Sequence, residues 1–271
     1  MSKLLLGKEV TAALNERIIN DVNELKAKGV FPKLAIVRVG EDESDLAYER
    51  GAVKRCETLG VGYEKFLLPA DTNTEAVLNV IEKINNDDKI HGCLLFRPLP
   101  KHLDAEKIEN ALDPDKDVDC MTEGSIGAVF TGKNIGYPPC TPQACMEILK
   151  YYGYDLKGKN VTVIGRSLVV GKPVSMMLTN RFATVSIVHH LTHPEVKNDY
   201  IKRADVVIAA TPFKNTVTAD MMKEGAIVID ASIIREKAFD ADGNPIMNEK
   251  TGKQKIITLG CCSPDVEEVA A

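Results

Sequence analysis

The segment from Val161 to Pro173 combines residue types that suit the binding of a phosphate group. A β-branched run ends at Ile164 and is followed by Gly165, with Gly171 near the start of an expected helix. Glycine lets a backbone pass close to a ligand, and a helix N-terminus offers N–H donors and partial positive charge to a pyrophosphate. The spacing differs from G-x-G-x-x-G, so an ordinary strand-to-helix turn is the alternative interpretation.

Two further segments carry candidate ligand contacts. The loop Arg97-Pro98-Leu99-Pro100 follows a predicted strand, at the edge where open α/β sheets bind ligands. The segment 114–119 is crowded with carboxylates, most of which are expected to cap helices and to solubilise the turn. One carboxylate at the sheet edge could instead accept hydrogen bonds from a nitrogen heterocycle.

Strands and helices alternate along the chain, which predicts an α/β fold with two parallel sheets. Strands are predicted over 34–39, 63–68, 91–96, 161–164, 184–189, 205–210 and 226–230. Helices are predicted over 8–28, 44–59, 72–85, 104–112, 141–153, 173–181 and 195–203. Thr72 and Glu75 are expected to form a capping box. Thr141 is expected to be the N-cap of the helix 141–153, which is expected to bridge two domains.

The last four predicted strands, from 161 to 230, indicate a nucleotide-binding sheet. Gly165, His189 and Thr211 are expected to lie along one edge of it. Two turns between 234 and 257, Asp-Gly-Asn-Pro and Lys-Thr-Gly-Lys, predict a β-hairpin.

Composition narrows the functional class. The chain has 271 residues, 44% of them hydrophobic, and a formal net charge of −5, which predicts a globular protein without a nucleic-acid-binding surface. Apolar runs are too short for a membrane span, so a cytoplasmic protein is expected. The seven cysteines lack zinc-site spacing, so no metal is expected and the thiols should be reduced and mostly buried. Reaction of the neighbouring Cys261 and Cys262 with oxidants is a lesser alternative.

Motifs in a fixed order give the chain a specific resemblance. They are Tyr48, Lys54-Arg55-Cys56-Glu57 with Gly60, Pro98-Leu99-Pro100, Pro114-Asp115-Lys116-Asp117-Val118-Asp119, Pro139-Cys140-Thr141-Pro142, Gly165-Arg166-Ser167 with Val170-Gly171-Lys172-Pro173, His189 with Thr192, and 204–210. With these motifs the chain resembles the methylenetetrahydrofolate dehydrogenase/cyclohydrolase family over nearly its whole length.

The resemblance implies a homodimeric enzyme of two domains with a cleft between them. Residues 1–140 would form an α/β catalytic domain that binds a tetrahydrofolate derivative, and 141–271 a Rossmann-like NAD(P)-binding domain. The family oxidises 5,10-methylenetetrahydrofolate to the methenyl form and often hydrolyses that product to 10-formyltetrahydrofolate.

The resemblance also implies the site residues. Substrate contacts would come from Tyr48, Phe96, Arg97, Pro98, Leu99, Pro100 and Asp119, with Tyr48 and Asp119 as the catalytic residues. Cofactor contacts would come from Thr141, Gly165, Arg166, Ser167, Val170, Gly171, Pro173, His189, His190, Ala210 and Thr211.

Two departures bear on the hydrolytic step. The family pattern Tyr-x-x-x-Lys places phenol and ammonium on one helix face, but the fourth residue after Tyr48 is Ala52. Lys54 lies about 120° away around the helix and does not replace that lysine. The family's glutamine at the end of the third strand is replaced by Phe96. We therefore expect a dehydrogenase with weak or absent cyclohydrolase activity, because hydride transfer depends mainly on positioning two rings.

The end of the second strand of the nucleotide domain indicates the cofactor. An NAD-specific Rossmann unit places an acid there, whereas this chain has His189 and His190. With Arg166 nearby, a 2′-phosphate is favoured, so NADP is expected and NAD stays possible. Surface histidines without a ligand are the alternative.

Other departures leave further alternatives open. Ala144 replaces a family glycine, 211–214 replaces a Val-Gly-Lys segment, and the family's C-terminal Pro-Gly-Gly-Val-Gly loop and last helix have no counterpart before Ala271. The alternatives are a bifunctional enzyme in which Arg97 replaces the lysine, a non-catalytic folate- or nucleotide-binding homologue, and a Rossmann oxidoreductase with an unrelated substrate.

Overall fold

The computed structural model describes residues 3–240, 242–248 and 252–271. Contacts divide the chain into two compact units. The first unit is Leu6–Cys140, and the second is Thr141–Ala271 together with residues 3–5. Both are built from parallel strands with helices between them, as the alternating pattern predicts.

The elements alternate in chain order. The helices are α1 (Gly7–Ala27), α2 (Glu43–Leu59), α3 (Thr74–Asn85), α4 (Ala105–Ala111), α5 (Glu123–Thr131), α6 (Cys140–Tyr151), α7 (Gly171–Thr179) and α8 (Pro194–Arg203). The strands are β1 (Lys33–Val39), β2 (Gly62–Leu68), β3 (Gly92–Leu95), β4 (Asn160–Ile164), β5 (Thr184–Val188), β6 (Val206–Ala209), β7 (Ile227–Asp230), β8 (Ile234–Lys237) and β9 (Ile256–Leu259). Short 3₁₀ helices cover Pro114–Lys116, Ala219–Met221 and Pro264–Glu268.

The sheet of the first unit has the order β2-β1-β3, with all strands parallel. β1 is central and its last five residues are buried, as expected for a strand covered on both faces. One face packs against α3 and α4 through a core that includes Val37, Ile81, Leu95 and Ile108. The strands β1 and β3 therefore have their carboxyl ends at one edge of a rigid sheet.

The sheet of the second unit has the order β5-β4-β6-β7, again parallel. Alternate residues of its strands enter two cores on opposite faces, one with α6 and α7 and the other with α8. The chain order of the strands reverses between β4 and β6, the crevice where open α/β sheets bind ligands.

The hairpin predicted between 234 and 257 is present. β8 and β9 pair antiparallel, and Asp240 Oδ1 accepts N–H bonds from Asp242 at 3.0 Å and Asn244 at 2.8 Å in the first turn. In the second predicted turn, Lys250 and Thr251 lie outside the described residues.

Two predicted helix starts were wrong in detail. The N-cap of α3 is Asn73, which accepts from Ala76 N–H at 2.9 Å, and not Thr72. Thr72 is buried and its carbonyl bonds His102 Nε2 at 2.8 Å, so it belongs to the preceding turn. α6 begins at Cys140, which places Thr141 inside its first turn.

The prediction also missed α5. Thr122 Oγ1 caps this helix by accepting from Ser125 N–H at 3.1 Å.

Within the described ranges, no helix combines the length and apolarity needed to span a bilayer.

Candidate active site

Tyr48 is an exposed aromatic residue of the first unit. It lies on α2, and the residue is 59% exposed. Its ring centroid is 5.2 Å from that of Phe96, at an interplanar angle of 53°. Phe96 directly follows β3 and is 5% exposed, so it supports Tyr48 and offers little surface of its own.

Asp119 stands on a turn that another carboxylate organises. Asp117 is fully buried, and its carboxylate accepts N–H bonds from Asp119 at 3.3 Å, Met121 at 3.1 Å and Thr122 at 2.8 Å. These donors satisfy the buried oxygens and fix the turn. Asp117 is therefore structural, whereas the Asp119 side chain is 31% exposed.

Arg97 connects the loop after β3 to this turn. Its Nη2 donates to Asp119 Oδ2 at 2.9 Å, and its Nη1 lies 3.7 Å from Glu109 Oε2. A carboxylate offers about four acceptor positions, so Asp119 keeps acceptors for a ligand while Arg97 orients it.

Electrostatics keep Tyr48 protonated. Partial burial raises the pKa of the Tyr48 phenol, and the negative charge of Asp119 raises it further. Burial, with Asp119 beside it, also raises the pKa of the Cys140 thiol. At neutral pH the phenol can therefore donate a hydrogen bond but is a poor general base.

The remaining loop residues play different parts. A cis peptide bond joins Arg97 to Pro98, which is exposed. Leu99 packs against the core of the first unit, and Pro100 is partly buried. Substrate contact by Pro98, Leu99 and Pro100 stays a prediction.

The second unit contains a cavity of about 480 Å³ at the carboxyl edge of its sheet. The loops after β4, β5 and β6 form its wall. Its lining includes the predicted residues Gly165, Arg166, Ser167, His189, His190, Ala210 and Thr211. Parallel strands thus bring together side chains that are far apart in sequence.

Gly165 and Gly171 allow the backbone to pack tightly beside this cavity. Gly165 has φ 130°, and a Cβ there would lie 2.4 Å from Ala210 O. A Cβ on Gly171 would lie 2.1 Å from Gly165 O. Either side chain would therefore force the loop after β4 away from its neighbours.

The start of α7 differs from the expected phosphate cradle. Ser167 Oγ accepts from Val170 N–H at 3.1 Å, and Ser167 O accepts from Lys172 N–H at 2.9 Å. Ser167 Oγ also lies 3.5 Å from Gly171 N. These N–H groups are used inside the turn, so an anion must rely on the loop Gly165–Ser167 more than on the helix end.

Four predicted cofactor residues lie outside the described lining of the cavity: Thr141, Val170, Gly171 and Pro173. Gly171 and Pro173 are buried and shape the loop, and Thr141 is exposed on α6. Direct cofactor contact by these four stays a prediction.

Sequence reasoning missed Lys197. This lysine lies on α8, one turn after Pro194, and lines the cavity. The signal in the sequence was a basic residue in the helix that follows β5, because that helix begins at the same edge of the sheet as the cavity. Phe213 also lines the cavity, with its ring 6.3 Å from that of His190.

The cavity has a positive lining. Arg166, Lys197 and Lys214 line it, and the described lining residues include no Asp or Glu. Lys214 pairs with Glu236. In the described part of the chain neither Arg166 nor Lys197 forms an ion pair, so both can bind an anion.

Family comparisons agree with this two-part arrangement. Residues 5–119 match the model of the tetrahydrofolate dehydrogenase/cyclohydrolase catalytic domain, and residues 139–258 match the NAD(P)-binding domain of the same family. The chain belongs to the tetrahydrofolate dehydrogenase/cyclohydrolase family. It is therefore an enzyme chain with a catalytic domain and an NAD(P)-binding domain, as the resemblance implied.

The chain aligns with relatives of this family over most of their length. The bifunctional protein FolD of Clostridioides difficile (strain 630) is 43% identical over 256 residues, which is 94% of this chain and 88% of the relative. The bifunctional enzyme FolD of Campylobacter jejuni has a TM-score of 0.85 at 31% identity, covering 100% of this chain and 89% of that one. FolD of Trypanosoma brucei, solved with NADP and an inhibitor, has a TM-score of 0.83 at 28% identity, with coverage of 100% and 89%.

Ala52 is the departure from the family pattern with the clearest structural setting. It lies one helical turn after Tyr48 on α2 and is partly buried. Lys54 is exposed. The methyl group of Ala52 can neither donate nor accept a proton beside Tyr48.

Glu49 anchors the helix that carries Tyr48. Its carboxylate, 9% exposed, bonds Arg38 Nε at 2.7 Å and Lys65 Nζ at 2.8 Å. The hydrogen bond from Lys65, opposed by burial and aided by Arg38, lowers the pKa of Glu49. A carboxylate whose pKa is depressed in the folded state stabilises that state above its unfolded pKa, and this contribution is lost as pH falls through the folded pKa.

We expect Glu49→Gln to lower the free energy of unfolding at pH 7 by about 2 kcal/mol, because buried Arg38 loses its charged partner. The difference between the variant and the unchanged chain should shrink below about pH 4, which urea unfolding at several pH values measures. Glu64→Gln is the matched control, since Glu64 pairs with Lys33 at 3.2 Å on the surface. An equal loss in both variants would contradict the anchoring role.

Proposed function

We propose that this chain oxidises 5,10-methylenetetrahydrofolate to 5,10-methenyltetrahydrofolate with NADP as the acceptor, and that its cyclohydrolase activity is weak or absent. The observation that supports the first part is the cavity at the crevice between β4 and β6, which is lined by basic side chains. This cavity lies in the domain that matches the NAD(P)-binding domain of the family. The second part depends on Ala52 beside Tyr48.

The cavity fits a phosphorylated dinucleotide. Gly165 lets the loop after β4 pack tightly against Ala210 O at the cavity wall, where a Cβ would lie 2.4 Å from that oxygen. Arg166 and Lys197 suit the 2′-phosphate, and His190 lies beside them in the lining. When bound, NADP accepts a hydride from the substrate.

Tyr48 and Asp119 suit the pterin part of the substrate. Tyr48 offers an accessible ring held against Phe96, and Asp119 offers carboxylate oxygens oriented by Arg97. Stacking fixes the ring plane, and hydrogen bonds from pterin N–H groups to Asp119 fix its rotation. Positioning of this kind is the main requirement for hydride transfer.

The hydrolytic step needs a group that moves a proton from water. Tyr48 holds its proton because its pKa is raised, and Arg97 cannot act as a base because guanidinium does not lose its proton in proteins. Ala52 has no ionisable group at the position where the family pattern has lysine. These residues favour a dehydrogenase that releases the methenyl product.

A bifunctional enzyme is the second candidate function, because the FolD structure from Campylobacter jejuni is named for both the dehydrogenase and the cyclohydrolase. The test is an assay of the purified chain with methylenetetrahydrofolate and either NADP or NAD, following reduced nicotinamide and methenyl product separately. Equal amounts of both products support the monofunctional proposal. Conversion of methenyl- to formyltetrahydrofolate well above the buffer rate would reject it, and binding without turnover would indicate a non-catalytic homologue.

Cofactor preference can be tested at Lys197. We expect Lys197→Gln to raise the KM for NADP about tenfold with little change in the KM for NAD, because only NADP carries the 2′-phosphate. Lys202→Gln is the matched control, since Lys202 lies on the same helix, exposed and outside the described cavity lining. A lower KM for NAD than for NADP in the unchanged chain would reject the NADP preference.

We also propose a homodimer, as the family resemblance implies. β2 is an edge strand of its sheet, and Leu67 and Tyr63 on it are 53% and 37% exposed. Exposed apolar side chains on an edge strand suit contact with another chain. Light scattering should give twice the chain mass of 29.6 kDa, and the single mass would reject the dimer.

A further inference from the structure

Asp230, Cys261 and Cys262 bring three possible metal ligands together outside both candidate ligand sites. One carboxylate oxygen and the two Sγ atoms lie within 4.8 Å of one another. Asp230 ends β7, and the two cysteines follow β9 after Gly260. Distant parts of the sequence therefore meet, which explains why cysteine spacing alone predicted no metal.

The spacing fits a tetrahedral ion. Cys261 Sγ lies 3.5 Å from Asp230 Oδ1. A tetrahedral zinc ion, with zinc–sulfur and zinc–oxygen distances of about 2.3 and 2.1 Å, separates these two ligand atoms by about 3.6 Å. Cys262 Sγ is within range to be the third ligand.

Hydrogen bonds hold the Asp230 carboxylate in place. Oδ1 accepts from Ser232 N–H at 3.0 Å, and Oδ2 accepts from Cys262 N–H at 2.8 Å. A Cβ on Gly260 would lie 2.1 Å from Oδ2, so the carboxylate rests against this glycine. Outer hydrogen bonds of this kind orient the carboxylates that bind metals. Oδ2 keeps a lone pair, and Oδ1 regains one when the Cys261 thiol that donates to it loses its proton.

The two sulfur atoms face each other. The Cys261 thiol donates a hydrogen bond to Asp230 Oδ1, and the two sulfur atoms lie within 4.8 Å of each other. Cys261 is buried, whereas Cys262 and Asp230 line a second cavity of about 640 Å³. This cavity gives a cation a path from solvent to the buried sulfur.

We propose that Asp230, Cys261 and Cys262 bind a thiophilic divalent cation of the zinc class, with a fourth position open to water. Two thiols become thiolates on binding, and their two protons pass to solvent. Two sulfur ligands favour zinc over magnesium or calcium, which prefer oxygen.

The site has a structural link to the cofactor cavity. Thr211 N–H donates to Ser232 Oγ at 3.4 Å, Ser232 N–H donates to Asp230 Oδ1 at 3.0 Å, and Thr211 lines that cavity. A bound cation would therefore connect the loops after β6, β7 and β9. This link makes the cation a candidate regulator of cofactor binding.

The test uses the reduced full chain and Co²⁺ as a spectroscopic probe. We expect one Co²⁺ per chain with the intense visible bands and sulfur charge-transfer absorption of a tetrahedral thiolate site, and displacement by Zn²⁺. Cys262→Ser and Asp230→Asn should each weaken binding at least tenfold. Cys140→Ser is the matched control, because it removes an exposed thiol outside the cluster and should leave the Co²⁺ spectrum unchanged.

Three outcomes would overturn the proposal. They are the absence of a tetrahedral spectrum, equal binding by the Cys262→Ser variant, and a Cys261–Cys262 disulfide that persists in protein purified with reductant. None of these measurements involves folate or NADP, so they are independent of the proposed dehydrogenase activity.

Discussion

Replacing Ala52 with lysine is expected to raise the hydrolysis of methenyltetrahydrofolate by at least about 10²-fold. A positioned group that moves a proton contributes about 10²–10⁴-fold to such a step. Position 52 is one helical turn from Tyr48, so the new ammonium would lie beside the phenol on α2. The rate of dehydrogenation should change far less, because it depends on ring positioning.

The location of Ala52 makes this gain feasible. The residue is partly buried beside the exposed Tyr48, so a lysine stem can lie along the helix while its charge stays in water. Buried Glu49 holds the helix to β1 and β2, which limits displacement of α2 by the longer side chain.

Ala52→Met is the matched control, since it has a long side chain without an ionisable group. Both variants are compared with the unchanged chain by following the loss of methenyl absorbance. Equal rates for lysine and methionine would show that bulk, and not proton transfer, is responsible. High hydrolysis in the unchanged chain would show that Ala52 does not limit the reaction.

The sequence was sufficient for the fold class because β-branched runs alternate with helical spacing in both halves. In parallel sheets this alternation also places strand ends at one edge, so Gly165, His189 and Thr211 could be expected together. The structure brings them to one cavity wall. Resemblance to the family then supplied the roles that spacing could not.

α5 was missed because its glycines oppose helix formation. Gly124 is required by packing, since a Cβ there would lie 2.8 Å from Pro114 Cγ. Glycine lowers helix propensity by about 1 kcal/mol relative to alanine. Tertiary contact therefore overrode local preference, and Thr122 as a cap was the remaining signal.

Lys197 and the Asp230 cluster were missed for a different reason. Both depend on which side of an element faces a cavity or a neighbouring loop, and that is set by three-dimensional packing. A cation on α8 has no distinguishing spacing in the sequence. Asp230 and Cys261 become neighbours only after β7 and β9 have been placed.

Replacing Gly171 with alanine is expected to destabilise the NAD(P)-binding domain by about 3 kcal/mol or more and to weaken NADP binding about 100-fold. The new Cβ would lie 2.1 Å from Gly165 O, 2.5 Å from Gly165 C and 2.9 Å from Arg166 N. Backbone atoms cannot rotate away as a side chain can, so the loop after β4 must move. This loop carries Arg166 and Ser167 in the cavity wall.

Gly127→Ala is the matched control for that prediction. Gly127 lies on α5 and is exposed, and the described residues place nothing within 4 Å of its Cβ position. Alanine there should stabilise by up to about 1 kcal/mol, because it is the better helix former. Thermal unfolding and NADP titration of both variants separate the two effects. Unchanged NADP affinity in a Gly171→Ala variant that loses stability as expected would mean that displacement of the loop does not affect binding, and the proposed contacts of Arg166 and Ser167 would then be wrong.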